Sequence, residues 1–113
     1  MARKSAKAIP VVRGSGNVFA DMGFAQPEEE LTKAKLASLI RRVIERKRMT
    51  QAIAGAVMGI DQPKVSALLN GRLGNFSSER LMRFLTSLGQ DVKITIKSKP
   101  DGRERGRIQV VAL

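Results

Sequence analysis

Residues 50–72 read TQAIAGAVMGIDQPKVSALLNGR, and their pattern predicts the central part of the fold. Two short runs of helix-forming residues lie on either side of Gly59. Thr50 and Asp61 stand immediately before these runs and are good N-caps, because their side-chain oxygens accept a backbone N–H of the first helical turn. Gly59 can adopt the positive φ that a tight turn after a helix needs. The stretch therefore predicts two short helices joined by a tight turn.

The apolar pattern of this stretch indicates how the two helices pack. Gly55 lies inside the first helix, where it costs about 1 kcal/mol relative to Ala. We therefore expect a close approach of the second helix at this position. In the second helix Val65, Leu68 and Leu69 fall on one side at about 100° per residue and are expected to face inward. Two short helices that cross through a tight turn are typical of a helix-turn-helix motif.

Two further helices flank this unit. Pro27, followed by three glutamates, predicts a helix start, since proline suits the first turn and the acidic side chains complement the helix dipole. Apolar residues then recur at helical spacing, and the helix is expected to end near Lys47. A last helix is expected from Ser77 or Ser78 to Gly89.

After Gly89 the period of the apolar pattern changes from 3.6 to 2 residues. We predict strands at 91–97 and 107–113, separated by a polar stretch that contains Pro100. Two strands alone are marginal in water. They are expected to pack on the helices, to pair with a second subunit, or to bind a partner.

The composition excludes several classes of chemistry. The chain has 113 residues, enough for one domain, and it has neither Cys nor His. Disulfides, Cys/His zinc sites, thiol nucleophiles and Ser-His-Asp relays are therefore excluded. The remaining candidate residues show no catalytic spacing, so we predict no enzymatic activity, no catalytic residue, no metal and no cofactor. Neither a membrane span nor a secretory signal is recognisable, which favours a soluble cytoplasmic protein.

The formal net charge of +11 is distributed unevenly. Residues 31–48 carry +6, residues 1–13 carry +4 and residues 91–113 carry +3, whereas residues 14–30 carry −4. A basic helix face with basic tails is the electrostatic pattern of nucleic-acid binding. A solvated face that keeps the protein soluble explains the charge about equally well. The charge alone does not decide between them.

These patterns divide the chain into four segments. Residues 1–13 are expected to form a disordered basic tail, and residues 14–26 an arm that docks on the domain. Residues 27–90 form the predicted helical domain. Residues 91–113 form the predicted strands, which are candidates for a dimer or partner surface because an exposed strand edge invites pairing.

The residue types at fixed spacing in residues 50–71 carry a family resemblance. The stretch resembles the helix-turn-helix of the Xre family, which includes the Cro and C1 repressor-like DNA-binding domains. The resemblance implies a mainly α, five-helix, lambda-repressor-like domain, to which the pattern after Gly89 adds a short C-terminal β-strand pair. It also implies a repressor that binds specific sequences in the major groove of double-stranded DNA. The family usually has Leu at position 54 and Ala at position 55, where this chain has Ala54 and Gly55.

Nine residues are predicted to contact DNA. Gln62 and Lys64, at the start of the second helix of the motif, are expected to reach base edges, and Ala67 to touch a thymine methyl group. In family members, the glutamine that corresponds to Gln51 binds a phosphate and braces the glutamine that corresponds to Gln62. The resemblance implies the same roles for Gln51 and Gln62 here. The alternative is that Gln62 and Asn70 are polar surface residues that only cap helices. The full set is Thr50, Gln51, Gln62, Pro63, Lys64, Ser66, Ala67, Asn70 and Arg72, of which Asn70 and Arg72 are expected to meet the DNA backbone.

One helix of this size reads only a few base pairs, so we expect a homodimer on a palindromic operator. An alternative arises from residues 15–23 and the acidic helix start that follows them. This segment is similar to a subgroup of Xre proteins that includes antitoxins of the host-inhibition-of-growth (HigA-like) type. The resemblance then implies an antitoxin that neutralises a RelE-like ribonuclease toxin and regulates its own operon. The toxin would bind either residues 14–24 or the C-terminal strand region.

Overall fold

The structure, a computed structural model, describes residues 27–113. These residues contain α1 (Pro27–Arg46), α2 (Gln51–Met58), α3 (Gln62–Leu69) and α4 (Ser78–Ser87), which confirms a mainly α fold. The buried hydrophobic core lies within residues 31–113. In the described part of the chain, no helix is long and apolar enough to cross a membrane.

The two ends of α1 follow from local chemistry. Its first turn carries Glu28, Glu29 and Glu30, whose carboxylates complement the positive end of the helix dipole. Beyond its last residue, Arg48 adopts the left-handed backbone conformation with φ 56°. The N–H of Met49 then donates to the carbonyl of Ile44 at 3.1 Å, which closes the end of the helix.

α1 is amphipathic as predicted, with one exception. Its apolar stripe is buried, whereas most of its basic side chains are exposed. Arg41 lies 3.4 Å from Glu45, one turn later, in an exposed ion pair. Such a pair contributes only about 0.3–0.5 kcal/mol. Lys33 is the exception, because only 8% of it is exposed.

All four helices contribute to one hydrophobic core. The Phe76 ring, from the loop before α4, meets the Phe84 ring edge to face, with 5.8 Å between the ring centroids. The Arg80 guanidinium covers both rings at 5.4 and 5.5 Å from their centroids. The buried apolar residues are Leu36, Ala37, Ile40, Val43, Ile44, Ala54, Met58, Val65, Leu68, Phe76, Leu81, Phe84, Leu85 and Leu88.

The structure corrects two details of the predicted fold, the five-helix count and the C-terminal strand pair. Residues 27–113 hold four helices and no strand. The fifth helix was implied by the family resemblance alone, and the residues after Gly89 lack helical periodicity. The alternation in residues 91–97 and 107–113 predicts extended backbone, but a strand also needs a neighbour that pairs with its N–H and C=O groups. The alternating pattern of one segment does not show whether such a pairing strand is present.

The remaining predicted segments have different outcomes. The basic tail at 1–13 and the docking arm at 14–26 lie outside the described residues. In residues 91–113, Val110 is half-buried and packs against the core. The other large apolar side chains of this segment are exposed, namely Val92, Ile94, Ile96, Ile108, Val111 and Leu113.

Candidate nucleic-acid interface

The unit formed by α2, a tight turn and α3 is the candidate interface, and capping fixes where its helices begin. Thr50 Oγ1 accepts a hydrogen bond from the N–H of Ile53 at 3.1 Å. Asp61 Oδ1 accepts one from the N–H of Lys64 at 3.0 Å. Both caps were predicted from the sequence, and each takes up a donor that the first helical turn leaves unpaired.

The turn between the two helices depends on two glycines. Gly59 has φ 76° and ψ 30°, and its N–H donates to the carbonyl of Gly55 at 2.7 Å. A Cβ atom on Gly55 would lie 2.6 Å from the carbonyl oxygen of Ile60 and 3.2 Å from Cγ2 of Val65. The predicted close approach at Gly55 is therefore present, and it involves both the turn backbone and α3.

α3 packs on α2 with one face and presents the other face outward. Val65 and Leu68 are fully buried, as predicted, whereas Leu69 is only half-buried. At about 100° per residue, the direction opposite to Val65 and Leu68 falls among residues 63, 66, 67 and 70. Because Val65 and Leu68 pack inward, Pro63, Ser66, Ala67 and Asn70 lie on the outward face of α3.

The structure brings the nine predicted site residues onto α2, α3 and the adjoining caps and loop. Gln51, Ser66 and Ala67 are half-buried. The other six side chains are exposed, namely Thr50, Gln62, Pro63, Lys64, Asn70 and Arg72. Exposure leaves these six side chains accessible to a macromolecular ligand.

Three of the nine side chains, Thr50, Ser66 and Asn70, already make hydrogen bonds within the motif. Thr50 accepts from Ile53, and its own hydroxyl proton remains available for a second partner. Asn70 Nδ2 donates to the carbonyl of Ser66 at 2.9 Å and lies 3.3 Å from Ser66 Oγ. Sequence reasoning missed this pairing, although the spacing of four residues on a helix is a signal for it.

Two exposed basic residues, Lys47 and Arg48, follow the end of α1. A Cβ atom on Gly89 would lie 3.2 Å from Lys47 Nζ, so this ammonium group lies beside the C-terminal end of α4. A cation at that position stabilises the negative end of the helix dipole. Arg48 is exposed, and its left-handed backbone is disfavoured for a non-glycine residue by about 1–2 kcal/mol.

Comparison with known proteins identifies the unit. A family model described as a helix-turn-helix domain matches residues 18–97. The chain belongs to this helix-turn-helix family. A solved structure assigned to the XRE family of transcriptional regulators is 52% identical in sequence and superposes with a TM-score of 0.74, covering 79% of this chain and 100% of that chain. No curated protein matches.

The Xre-type assignment identifies the two helices of the motif. α2 is the first helix of the helix-turn-helix, and α3 is the helix in the recognition position. Among the described residues, no group of acidic side chains is arranged to hold a metal ion. The exposed side chains of this Xre-type motif include the amides of Gln62 and Asn70, the hydroxyl of Thr50 and the cation of Lys64.

Proposed function

We propose that this protein is a transcriptional repressor that binds specific double-stranded DNA sequences as a homodimer on a palindromic operator. In this proposal α3 enters the major groove and α2 crosses the sugar–phosphate backbone. The observation that carries the proposal is the α2–α3 geometry, in which Gly59 turns the chain and Gly55 lets α3 pack closely. The family membership and the XRE family relative support the same reading.

The side chains that we assign to base edges lie on α3. Gln62 can bond bidentately to adenine, Lys64 can reach the acceptors of guanine, and Ala67 can touch a thymine methyl group. Pro63 and Ser66 lie with Ala67 on the outward face of α3. These residues determine which sequences bind.

The side chains that we assign to phosphates surround this face. Thr50 and Gln51 stand at the start of α2, and we assign to Gln51 both a phosphate contact and the bracing of Gln62. Asn70 and Arg72 follow the recognition helix. Such contacts fix the register of the protein on the duplex but carry no sequence information.

A dimer follows from the size of the recognition helix. One α3 spans a few base pairs, so two copies on half-sites about 34–36 Å apart give a usable operator. We propose residues 91–113 as the dimer surface, because exposed large apolar side chains are concentrated there. Ile94 and Ile96 are 71% and 87% exposed, and burying them against a second copy is favourable.

The proposed function is tested by selecting duplexes from a random DNA pool at near-physiological salt. We expect enrichment of a two-fold palindrome whose half-sites are one helical turn apart. The matched control is the double variant Gln62→Ala, Lys64→Ala, which keeps the fold because both side chains are exposed. Retention of DNA without any enriched sequence in the unsubstituted protein would contradict the proposal.

An antitoxin that also represses its own operon is the second candidate. Exposed apolar surface in residues 91–113 supports it, since that surface could bind a small toxin protein as well as a second copy. The test is co-expression with the product of an adjacent small gene. A stable complex that relieves growth inhibition supports the antitoxin, and free coexistence of the two proteins contradicts it.

A further inference from the structure

Residues 91–97 read DVKITIK, an alternating segment that follows α4. Val92, Ile94 and Ile96 alternate with polar residues, and four of the seven residues are β-branched, a composition that favours strands. Ile94 and Ile96 are 71% and 87% exposed. Within residues 27–113, the structure assigns no strand and gives this segment no backbone–backbone hydrogen bond. Its apolar side chains and its backbone N–H and C=O groups can therefore meet a second chain.

Antiparallel pairing of this segment with its own copy restricts the possible registers. The two-fold symmetry of a homodimer centres each register either on a residue or on a peptide bond. Residues directly opposite each other point to the same face of the ladder. A register centred on a peptide bond sets apolar residues opposite polar ones, whereas a register centred on a residue keeps the apolar side chains on one face. Only residue-centred registers therefore fit the alternating pattern.

The charges of the segment favour one of these registers, the one centred on Ile94. Opposite charges at facing positions stabilise a ladder, and like charges destabilise it. The register keeps like charges from facing each other and gives each apolar residue an apolar partner. It sets Ile94 against its copy, Val92 against Ile96, Lys93 against Thr95 and Asp91 against Lys97.

The neighbouring registers lack this complementarity. Centring on Lys93 sets this lysine against its copy, and centring on Thr95 sets Lys93 against Lys97. Centring closer to either end sets Ile94 against a polar residue outside the segment. The segment is therefore complementary to itself in one register, and self-complementarity is what a two-fold contact between identical chains requires.

We propose that residues 91–97 of two copies pair as an antiparallel two-stranded ladder centred on Ile94, with Asp91 of each copy opposite Lys97 of the other. This inference rests on the proposed function, because it specifies the contact of the proposed homodimer. The predicted strand then forms on dimerisation, since the second copy supplies the neighbour that a strand needs. A two-stranded ladder alone is marginal in water. The exposed apolar side chains of Val111 and Leu113 add surface that the dimer can bury.

Disulfide formation tests the register directly, because the chain has no cysteine of its own. Ile94→Cys is expected to cross-link to its copy in a glutathione redox buffer, since facing Cβ atoms of a ladder lie about 4.5–5.5 Å apart, close to disulfide geometry. Ile96→Cys is the matched control. It lies on the same face and is more exposed, but its two copies are four residues apart along the ladder, about 13 Å.

We expect Ile94→Cys to cross-link at least about tenfold faster than Ile96→Cys, because the ladder gives a high effective concentration only at the two-fold centre. An equimolar mixture of Val92→Cys and Ile96→Cys is expected to cross-link as a mixed dimer, since these two positions face each other. Non-reducing gel electrophoresis measures both results.

Charge reversal tests the pair of Asp91 and Lys97 without cysteines. Asp91→Lys is expected to raise the dimer dissociation constant about fivefold to thirtyfold, because each dimer then has two facing lysine pairs. Adding Lys97→Asp restores opposite charges and is expected to return the constant to within about twofold. Asp101→Lys is the matched control, since it changes the net charge equally at an exposed residue outside the ladder. Sedimentation velocity at low salt and without DNA measures these constants.

Two results would overturn the inference while leaving the proposed function standing, provided that the unsubstituted protein still selects a palindrome. One is cross-linking that is absent at residue 94, equal at residues 94 and 96, or strongest for Thr95→Cys. The other is a dissociation constant that responds alike to Asp91→Lys and Asp101→Lys. A protein that is monomeric at every concentration and selects no palindrome would instead contradict the proposed function itself, and the inference with it.

Discussion

Gly55 is the residue at which the first helix of the motif has no room for a side chain. A Cβ atom there would lie 2.6 Å from the backbone oxygen of Ile60, which cannot move without opening the turn. For Gly55→Ala we expect a net loss of about 1–2 kcal/mol in unfolding free energy, because overpacking outweighs the better helix propensity of alanine. Denaturant titration followed by circular dichroism measures this loss.

Gly74→Ala is the matched control for that experiment. A Cβ atom on Gly74 meets no heavy atom within 4 Å, and its φ is not positive. We expect its unfolding free energy to change by less than about 0.5 kcal/mol. If the two variants have equal unfolding free energies, the backbone around Gly55 accommodates a Cβ atom without loss of stability, which contradicts the prediction.

Gln62 and Arg72 are both exposed side chains, but the proposal gives them different roles. Gln62→Ala is expected to cost about 1–3 kcal/mol at one base position and to relax specificity there. Arg72→Ala is expected to weaken binding to all sequences alike, because a phosphate contact is independent of sequence. Affinities for the operator and for a scrambled duplex separate these outcomes. An Arg72→Ala variant that loses affinity only for the operator contradicts the backbone assignment.

At the scale of elements, α3 depends on its N-cap. It has only eight residues, and Asp61 takes up a donor of its first turn at 3.0 Å. We expect Asp61→Ala to lower the unfolding free energy by about 1 kcal/mol, whereas Asp61→Ser keeps a capping oxygen and most of the stability. Thermal unfolding of both variants tests this. Equal destabilisation by Ala and Ser would show that the carboxylate acts other than as a cap.

For the whole molecule, the dimer surface is the main prediction. Replacing Ile94 and Ile96 together by Ser is expected to convert the dimer to a monomer, because this removes two of the most exposed apolar side chains of residues 91–113. Sedimentation velocity measures the change. The matched control replaces Ile53 and Val57, exposed apolar residues of α2, by Ser. A dimer that persists in the first variant and dissociates in the control would move the interface to α2.

The net charge of +11 also belongs to the whole molecule. With about eight phosphates neutralised per dimer, the logarithm of the binding constant should fall with the logarithm of salt concentration at a slope near −7, since each phosphate contributes about −0.9. Titrations of one duplex at several salt concentrations give this slope. A slope near zero would remove DNA as the main partner.

The helices and the turn are predictable from local sequence. Capping residues such as Thr50 and Asp61, the apolar spacing of α1 and α4 and the positive φ of Gly59 are local properties, so residues close together in the chain specify them. The family resemblance of residues 50–71 also followed from local spacing and is supported by the helix-turn-helix match. Base specificity, the dimer and the antitoxin alternative remain predictions.

Features that depend on neighbours distant in the chain are not predictable from local sequence and are seen in the folded structure. Residues 91–113 have the alternation of strands, but strand pairing needs a partner that the pattern does not name, and the structure assigns no strand there. The Lys47 ammonium group lies beside Gly89 at the end of α4, a neighbour that the local sequence around Lys47 does not predict. The physical reason is the same in both cases: local spacing specifies the backbone of a helix or a turn, whereas the folded chain specifies what each surface and each charge meets.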